Sequence, residues 1–128
     1  WVALGILIIL NLNKMEAKEL RIGNYYDSRD VLTFSITPHD INELFNDPSD
    51  DYYNPIPLTE EWLLKFGFEM DKGGIFWINN KWGFHGYLTP DNIFCIIGYS
   101  EKHLNIKYVH QLQNIYFALT GEELTLKQ

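Results

Sequence analysis

Apolar residues recur along this chain in two rhythms, and the switches between them mark out its elements. Residues 20–26 and 31–36 are two short runs rich in β-branched and aromatic side chains, separated by the polar stretch Asp27-Ser-Arg-Asp30. Runs of that kind bounded by turn residues predict a β-hairpin. Thr37-Pro38 then predicts an N-cap with proline at the first helical position, opening a short helical turn through residues 40–45. Residues 46–54 have no periodicity and read as a surface loop.

The stretch from Pro55 to Phe68 carries the densest local code. Thr59 stands at an N-cap position, with Glu60 and Glu61 in the first turn where the positive end of the helix dipole favours acids. Pro55 and Pro57 hold the entering chain extended, and Leu58 and Leu63 have the spacing of a hydrophobic staple. Gly67 predicts a left-handed C-terminal stop. A helix over 59–66 follows, with Trp62, Leu63 and Phe66 as its apolar face and Trp62 as a core anchor. Downstream, residues 68–70, 75–78 and 81–87 read as strands divided by turn chemistry at 71–74 and 79–80. Residues 89–92 make another turn, and 93–97 form a continuous apolar run that reads as the most buried strand. A short strand at 104–107 leads into a helix over 109–120 that Gly121 terminates. Val109, Leu112, Ile115, Tyr116 and Leu119 share one face of that helix; His110, Asn114 and Phe117 form a mixed stripe on the other.

The predicted fold class is α+β. A β-hairpin and meander with a short central helix are expected to carry a C-terminal amphipathic helix packed on the sheet. Residues 15–128 are expected to form a single domain. Residues 1–14 are set apart as an upstream hydrophobic extension, dispensable for folding, with Met15 as a plausible start. The first ten residues are apolar but too short to cross a bilayer, which takes about 20 residues. They also lack the basic stretch and cleavage site of a signal peptide.

Three blocks of wording resemble a known family: Glu19-Leu-Arg-Ile-Gly-Asn-Tyr25, PIPLTEEWLLKFGF from Pro55, and YVHQLQNIYFALTGEELTL from Tyr108. The chain is similar, over about residues 19–126, to short proteins encoded by bacteriophages and integrated mobile elements of gut Bacteroidota. The resemblance implies a cytoplasmic setting in the bacterial host cell. It carries over no catalytic or binding residue. Residues 1–14 fall outside the family pattern, and the acidic stretch before Pro55 is longer than the pattern has.

Composition narrows the classes further. Hydrophobic residues make up 46% of the chain and aromatics 16%, which suits a folded core. The net charge is −7, and Asp40, Glu43, Asp47, Asp50, Asp51, Glu60 and Glu61 fall in one stretch without a Lys or Arg. That run reads as a solvated face. Scattered basic residues disfavour a nucleic-acid backbone as partner, because phosphate binding needs a concentrated positive surface. One cysteine, Cys95, excludes an internal disulfide. Its neighbours Phe94, Ile96 and Ile97 make it a small core hydrophobe, not a nucleophile.

No cofactor or metal is expected: His39, His85, His103 and His110 have no metal-ligand spacing. No pattern of nucleophile, base and stabiliser is visible, so the expected class is a non-enzymatic protein-interaction module. Its partner is another protein or a second copy, and no membrane is expected for residues 15–128. The candidate interaction surface is His110, Asn114 and Phe117. A weaker alternative is an aromatic surface of Trp77, Trp82, Phe84 and Tyr87, which would suit a nucleic-acid-associated module stacking bases. A small enzyme without a visible motif is the third class.

Overall fold

The computed structural model describes residues 15–30, 32–78, 83–97 and 105–127. The architecture is α+β: among the described residues are three α-helices and two antiparallel sheets, one of two strands and one of five. Contacts gather these residues into two compact units that divide between Ile56 and Pro57. The expectations for residues 1–14, for the turn at 79–80, and for Trp82 and His103 fall outside the described residues. No helix among those described is long and apolar enough to cross a membrane.

In the first unit a 3-10 turn (Ala17–Glu19) precedes β1 (Tyr25–Asp27), β2 (Thr33–Ser35) and α1 (Pro38–Asn46). The hairpin forms as the sequence predicts, with Tyr26 opposite Phe34. Its turn is held at Ser28, whose N–H donates to the Leu32 carbonyl at 2.8 Å while its Oγ accepts from the Leu32 N–H at 3.2 Å. Helix α1 is longer than the single turn expected. Thr37 caps it, accepting from the Asp40 N–H at 3.3 Å, and the Asp40 carboxylate accepts in return from the Thr37 N–H at 2.8 Å. A reciprocal cap of this kind satisfies two backbone donors at once.

Met15, Leu20, Tyr26, Ile36, Leu44 and Tyr53 form the core of this unit. The stretch 46–54 is therefore more than a surface loop. Tyr53 turns inward and its hydroxyl donates to Asp40 at 2.8 Å, while Asn54 and Asp27 exchange backbone hydrogen bonds at 2.9 Å in both directions. Burial, with the Asp40 charge behind it, pushes the Tyr26 phenol up to about 12. Tyr53 is raised as well, first by burial and then by its bond to Asp40. Part of the acidic run is thus structural. Asp40 caps a helix and receives a tyrosine, and Arg29 pairs with Asp51 and, at 3.9 Å, with Asp50.

The second unit opens with α2 (Glu60–Lys65). Thr59 caps it by accepting from the Trp62 N–H at 3.4 Å, a contribution of about 1 kcal/mol. At the other end Phe68 N–H donates to the Leu63 carbonyl and Gly67 N–H to that of Leu64, both at 3.0 Å. These paired bonds, with Gly67 at φ +92°, make the left-handed stop that the sequence predicts. Trp62 departs from expectation. Leu63 and Phe66 are buried, but the indole is only half-buried, with the Lys65 ammonium 5.0 Å from its ring centre. With 3.6 residues per turn, Leu63 and Phe66 flank the centre of the buried side and Trp62 lies about 70° round the helix from it, at the edge.

Five strands follow in sequence order: β3 (Glu69–Met70), β4 (Ile75–Trp77), β5 (His85–Leu88), β6 (Phe94–Ile96) and β7 (Asn105–Ile106). Each pairs antiparallel with the next, the meander that the turn signals predict. The reading of 81–87 as one strand is corrected at its start: Gly83 adopts φ +64°, a left-handed conformation that interrupts an extended run, and β5 begins at His85. Helix α3 (Val109–Thr120) closes the unit, entered through Gln111, whose Oε1 accepts from the N–H groups of Lys107 and Tyr108 at 3.0 and 3.2 Å. Gly121, at φ +74°, stops it.

Candidate interaction surface

Register sorts the side chains of the five-stranded sheet onto two faces, since successive residues of a strand point to opposite sides. Phe76, Gly86 and Ile96 stand in one row, and Leu88, Phe94 and Ile106 in a parallel one. Phe76, Gly86, Phe94, Ile96 and Ile106 are buried, so these rows form the inner face. Phe84 joins that side: its ring packs edge-on to Tyr116 of α3 at 5.1 Å and to Phe68 at 6.0 Å, and stacks on Phe94 at 6.5 Å. The expectation that Phe84 belongs to an exposed aromatic platform is overturned. It is core.

The opposite face has a different character. Ile75, Tyr87, Cys95 and Asn105 lie side by side across four strands, and Glu69, Trp77 and His85 form the neighbouring row. Ile97 extends this second row, its N–H donating to the His85 carbonyl at 3.0 Å. Trp77 and Ile97 are each 36% exposed and Tyr87 44%, while Ile75, His85 and Cys95 are half-buried. Glu69 is the one formal charge that the described strand residues place on this face. His85 is fixed from within: its Nδ1 lies 2.6 Å from the Gly83 carbonyl, which can only accept, so Nδ1 is the donor in that bond.

Two expectations change here. Trp77 and Tyr87 do share an open face, but their companions are Ile75, His85, Cys95 and Ile97 instead of Phe84. Cys95 is not a core residue; it sits half-buried on the outer face, its Sγ 3.9 Å from the Asn105 side-chain oxygen. The sequence held no signal for this, because Phe94, Cys95, Ile96 and Ile97 are all apolar and only the strand's alternation in the fold turns Cys95 outward.

The stripe on the C-terminal helix is not a continuous surface. His110 is 1% exposed and stacks on Tyr108 with ring centres 5.9 Å apart; Asn114 is half-buried; Phe117 alone is open, at 40%. The buried side of α3 runs through Val109, Gln113, Tyr116 and Thr120. Hydropathy misses Gln113 and Thr120. Thr120 is accommodated because its hydroxyl donates to the Tyr116 carbonyl at 2.7 Å and accepts from the Glu122 N–H at 3.1 Å. The first unit adds an apolar cleft of about 280 Å³ lined by Met15, Ala17, Leu44, Phe45 and Pro48, with Glu16 and Lys18 paired to each other at 3.3 Å on its rim.

No family model, curated protein or solved structure matches this chain. The arrangement of its own side chains therefore carries the functional argument. Among the described residues no group of three or more His, Cys, Asp or Glu side chains is placed to hold a metal ion.

Proposed function

We propose that this chain is a non-enzymatic accessory protein that acts by binding another protein, and that the outer face of the five-stranded sheet is the surface it uses. The observation that carries this reading is the adjacency of Ile75, Trp77, Tyr87, Cys95 and Ile97 on one solvent-facing side of the sheet, with Glu69 as the one formal charge that the described strand residues place there. Antiparallel sheets with one face in water ordinarily dress that face with polar residues. Apolar and aromatic side chains gathered there are what the centre of a protein interface contains, whereas charged residues are depleted in such centres. Base stacking would use the same aromatic rings, but it calls for a basic groove beside them, and the described strands put no Lys or Arg on this face. The bacteriophage or mobile-element setting, in the cytoplasm of the host cell, is supported by the three sequence blocks.

The test is affinity capture from cells carrying the element, comparing the wild type with a Trp77→Ala/Tyr87→Ala variant. The variant should lose the captured protein while its melting temperature stays close to that of the wild type. Unchanged capture by the double variant would remove this face from consideration, and capture abolished by nuclease would favour the nucleic-acid reading.

A further inference from the structure

We infer that this chain pairs with a second copy of itself through the open edge of the hairpin in the first unit, β2 against β2, to build a four-stranded sheet across a two-fold axis. Asp27 of β1 spends its N–H and its carbonyl on Asn54, on the side away from β2. Its partner Thr33 is therefore in a non-hydrogen-bonded pair, and the alternation of an antiparallel ladder turns the N–H and C=O of both Thr33 and Ser35 outward. The Ser28–Leu32 and Asn24–Ile36 bonds at 2.8 and 2.7 Å confirm that phase and show the paired stretch running from Leu32 to Ile36. Among the described residues no strand lies beyond β2.

This edge lacks the guards that keep exposed strands apart. Leu32-Thr-Phe-Ser-Ile36 contains no charge, proline or glycine, and Leu32 and Phe34 are 58% and 44% exposed. Natural edges are usually blunted by such residues. The contrast lies within the same chain: β3, one edge of the larger sheet, has two residues, one of them Glu69, and runs straight into Asp71.

A second copy fits this edge for a reason of register. Donors and acceptors facing outward at Thr33 and Ser35 are symmetric about Phe34. Antiparallel pairing centred on Phe34 sets Thr33 opposite Ser35 of the second copy and Ser35 opposite its Thr33, so both pairs are the hydrogen-bonded kind. Phe34 meets Phe34 in the closer, non-hydrogen-bonded pair, with Cα atoms about 4.5 Å apart. Leu32 falls opposite Ile36 of the second copy, on the same face as the phenylalanines. A surface complementary to itself about a two-fold axis is what closes a dimer and stops further growth. Strand addition then supplies backbone hydrogen bonds, and the Leu32 and Phe34 side chains supply apolar burial.

Sedimentation of the full chain over a range of concentrations tests this. The wild type should reach the dimer mass, and Phe34→Lys, which sets two like charges opposite each other, should return the monomer mass with an unchanged circular dichroism spectrum. Because Phe34 also touches Tyr26, at 6.1 Å between ring centres, Ser35→Pro serves as a second variant; it removes an outward N–H and leaves the hairpin's own bonds intact. Register is read by cysteines in a Cys95→Ser background. Phe34→Cys should form an inter-chain disulfide on mild oxidation, and Leu32→Cys and Ser35→Cys should not, because neither meets its own symmetry mate. A wild type that stays monomeric at every concentration would overturn the inference. So would a dimer that survives both edge variants, or one that cross-links at Leu32→Cys or Ser35→Cys in preference to Phe34→Cys. These outcomes are independent of the Trp77 and Tyr87 capture experiment, so either proposal can fail alone.

Discussion

Phe94→Ala is expected to destabilise the chain by about 3–5 kcal/mol, the range for deleting a fully buried aromatic side chain. Phe94 is 0% exposed and stands between two other rings, edge-on to Phe68 at 6.0 Å and stacked on Phe84 at 6.5 Å. Truncation removes both ring contacts and leaves a cavity that β-strands on either side cannot collapse to fill. Urea denaturation should show the midpoint falling with little change in slope, as for a loss of native packing. A cost below about 1 kcal/mol would mean that the inner face is not the core of the sheet unit.

Gly86→Ala is expected to cost about 1–3 kcal/mol or more through overpacking. Gly86 faces inward between Phe76 and Ile96, and a methyl group there would collide with the Cys95 carbonyl oxygen and lie 2.7 Å from the Phe94 ring. Its φ is not in the left-handed region, so glycine is needed at this position for space. The Gly86→Ala/Phe94→Ala double variant should cost less than the sum of the two, since removing the ring relieves one collision and leaves the carbonyl. Strict additivity in that cycle would show that the two positions do not touch.

Local chemistry was legible in the sequence and long-range orientation was not. The cap at Thr59, the stop at Gly67, the Thr37-Pro38 helix start and the Gly121 terminus all depend on residues within four positions of each other, and all stand where the sequence places them. The α+β meander with its C-terminal helix follows from the same punctuation. What escaped depends on which side of an element meets the core. Helix α3 buries Gln113 and Thr120 and half-exposes Ile115 and Leu119, a rotation that hydropathy cannot foresee because satisfied polar groups can be buried too. Phe84 and Trp77 look equivalent as aromatics in a strand-rich segment. Register separates them: Trp77 pairs with His85 on the outer side, while Phe84 shares the inner side with Gly86 two residues on. Similarly, the hairpin was legible, but the phase of its outer edge is set by Asn54, distant in sequence from both strands.

The most direct measurement on the central claim, that the outer sheet face is open and available to a partner, is the reaction of the single thiol with a reagent in the native protein. Cys95 lies in the same row as Tyr87 and two residues from Ile97, on the same face. Its labelling should proceed without denaturant, at a rate that low urea concentrations leave unchanged, and should slow when a captured partner is present. Labelling that waits for global unfolding would put Cys95 back in the core, exchange the two faces of the sheet, and contradict the account.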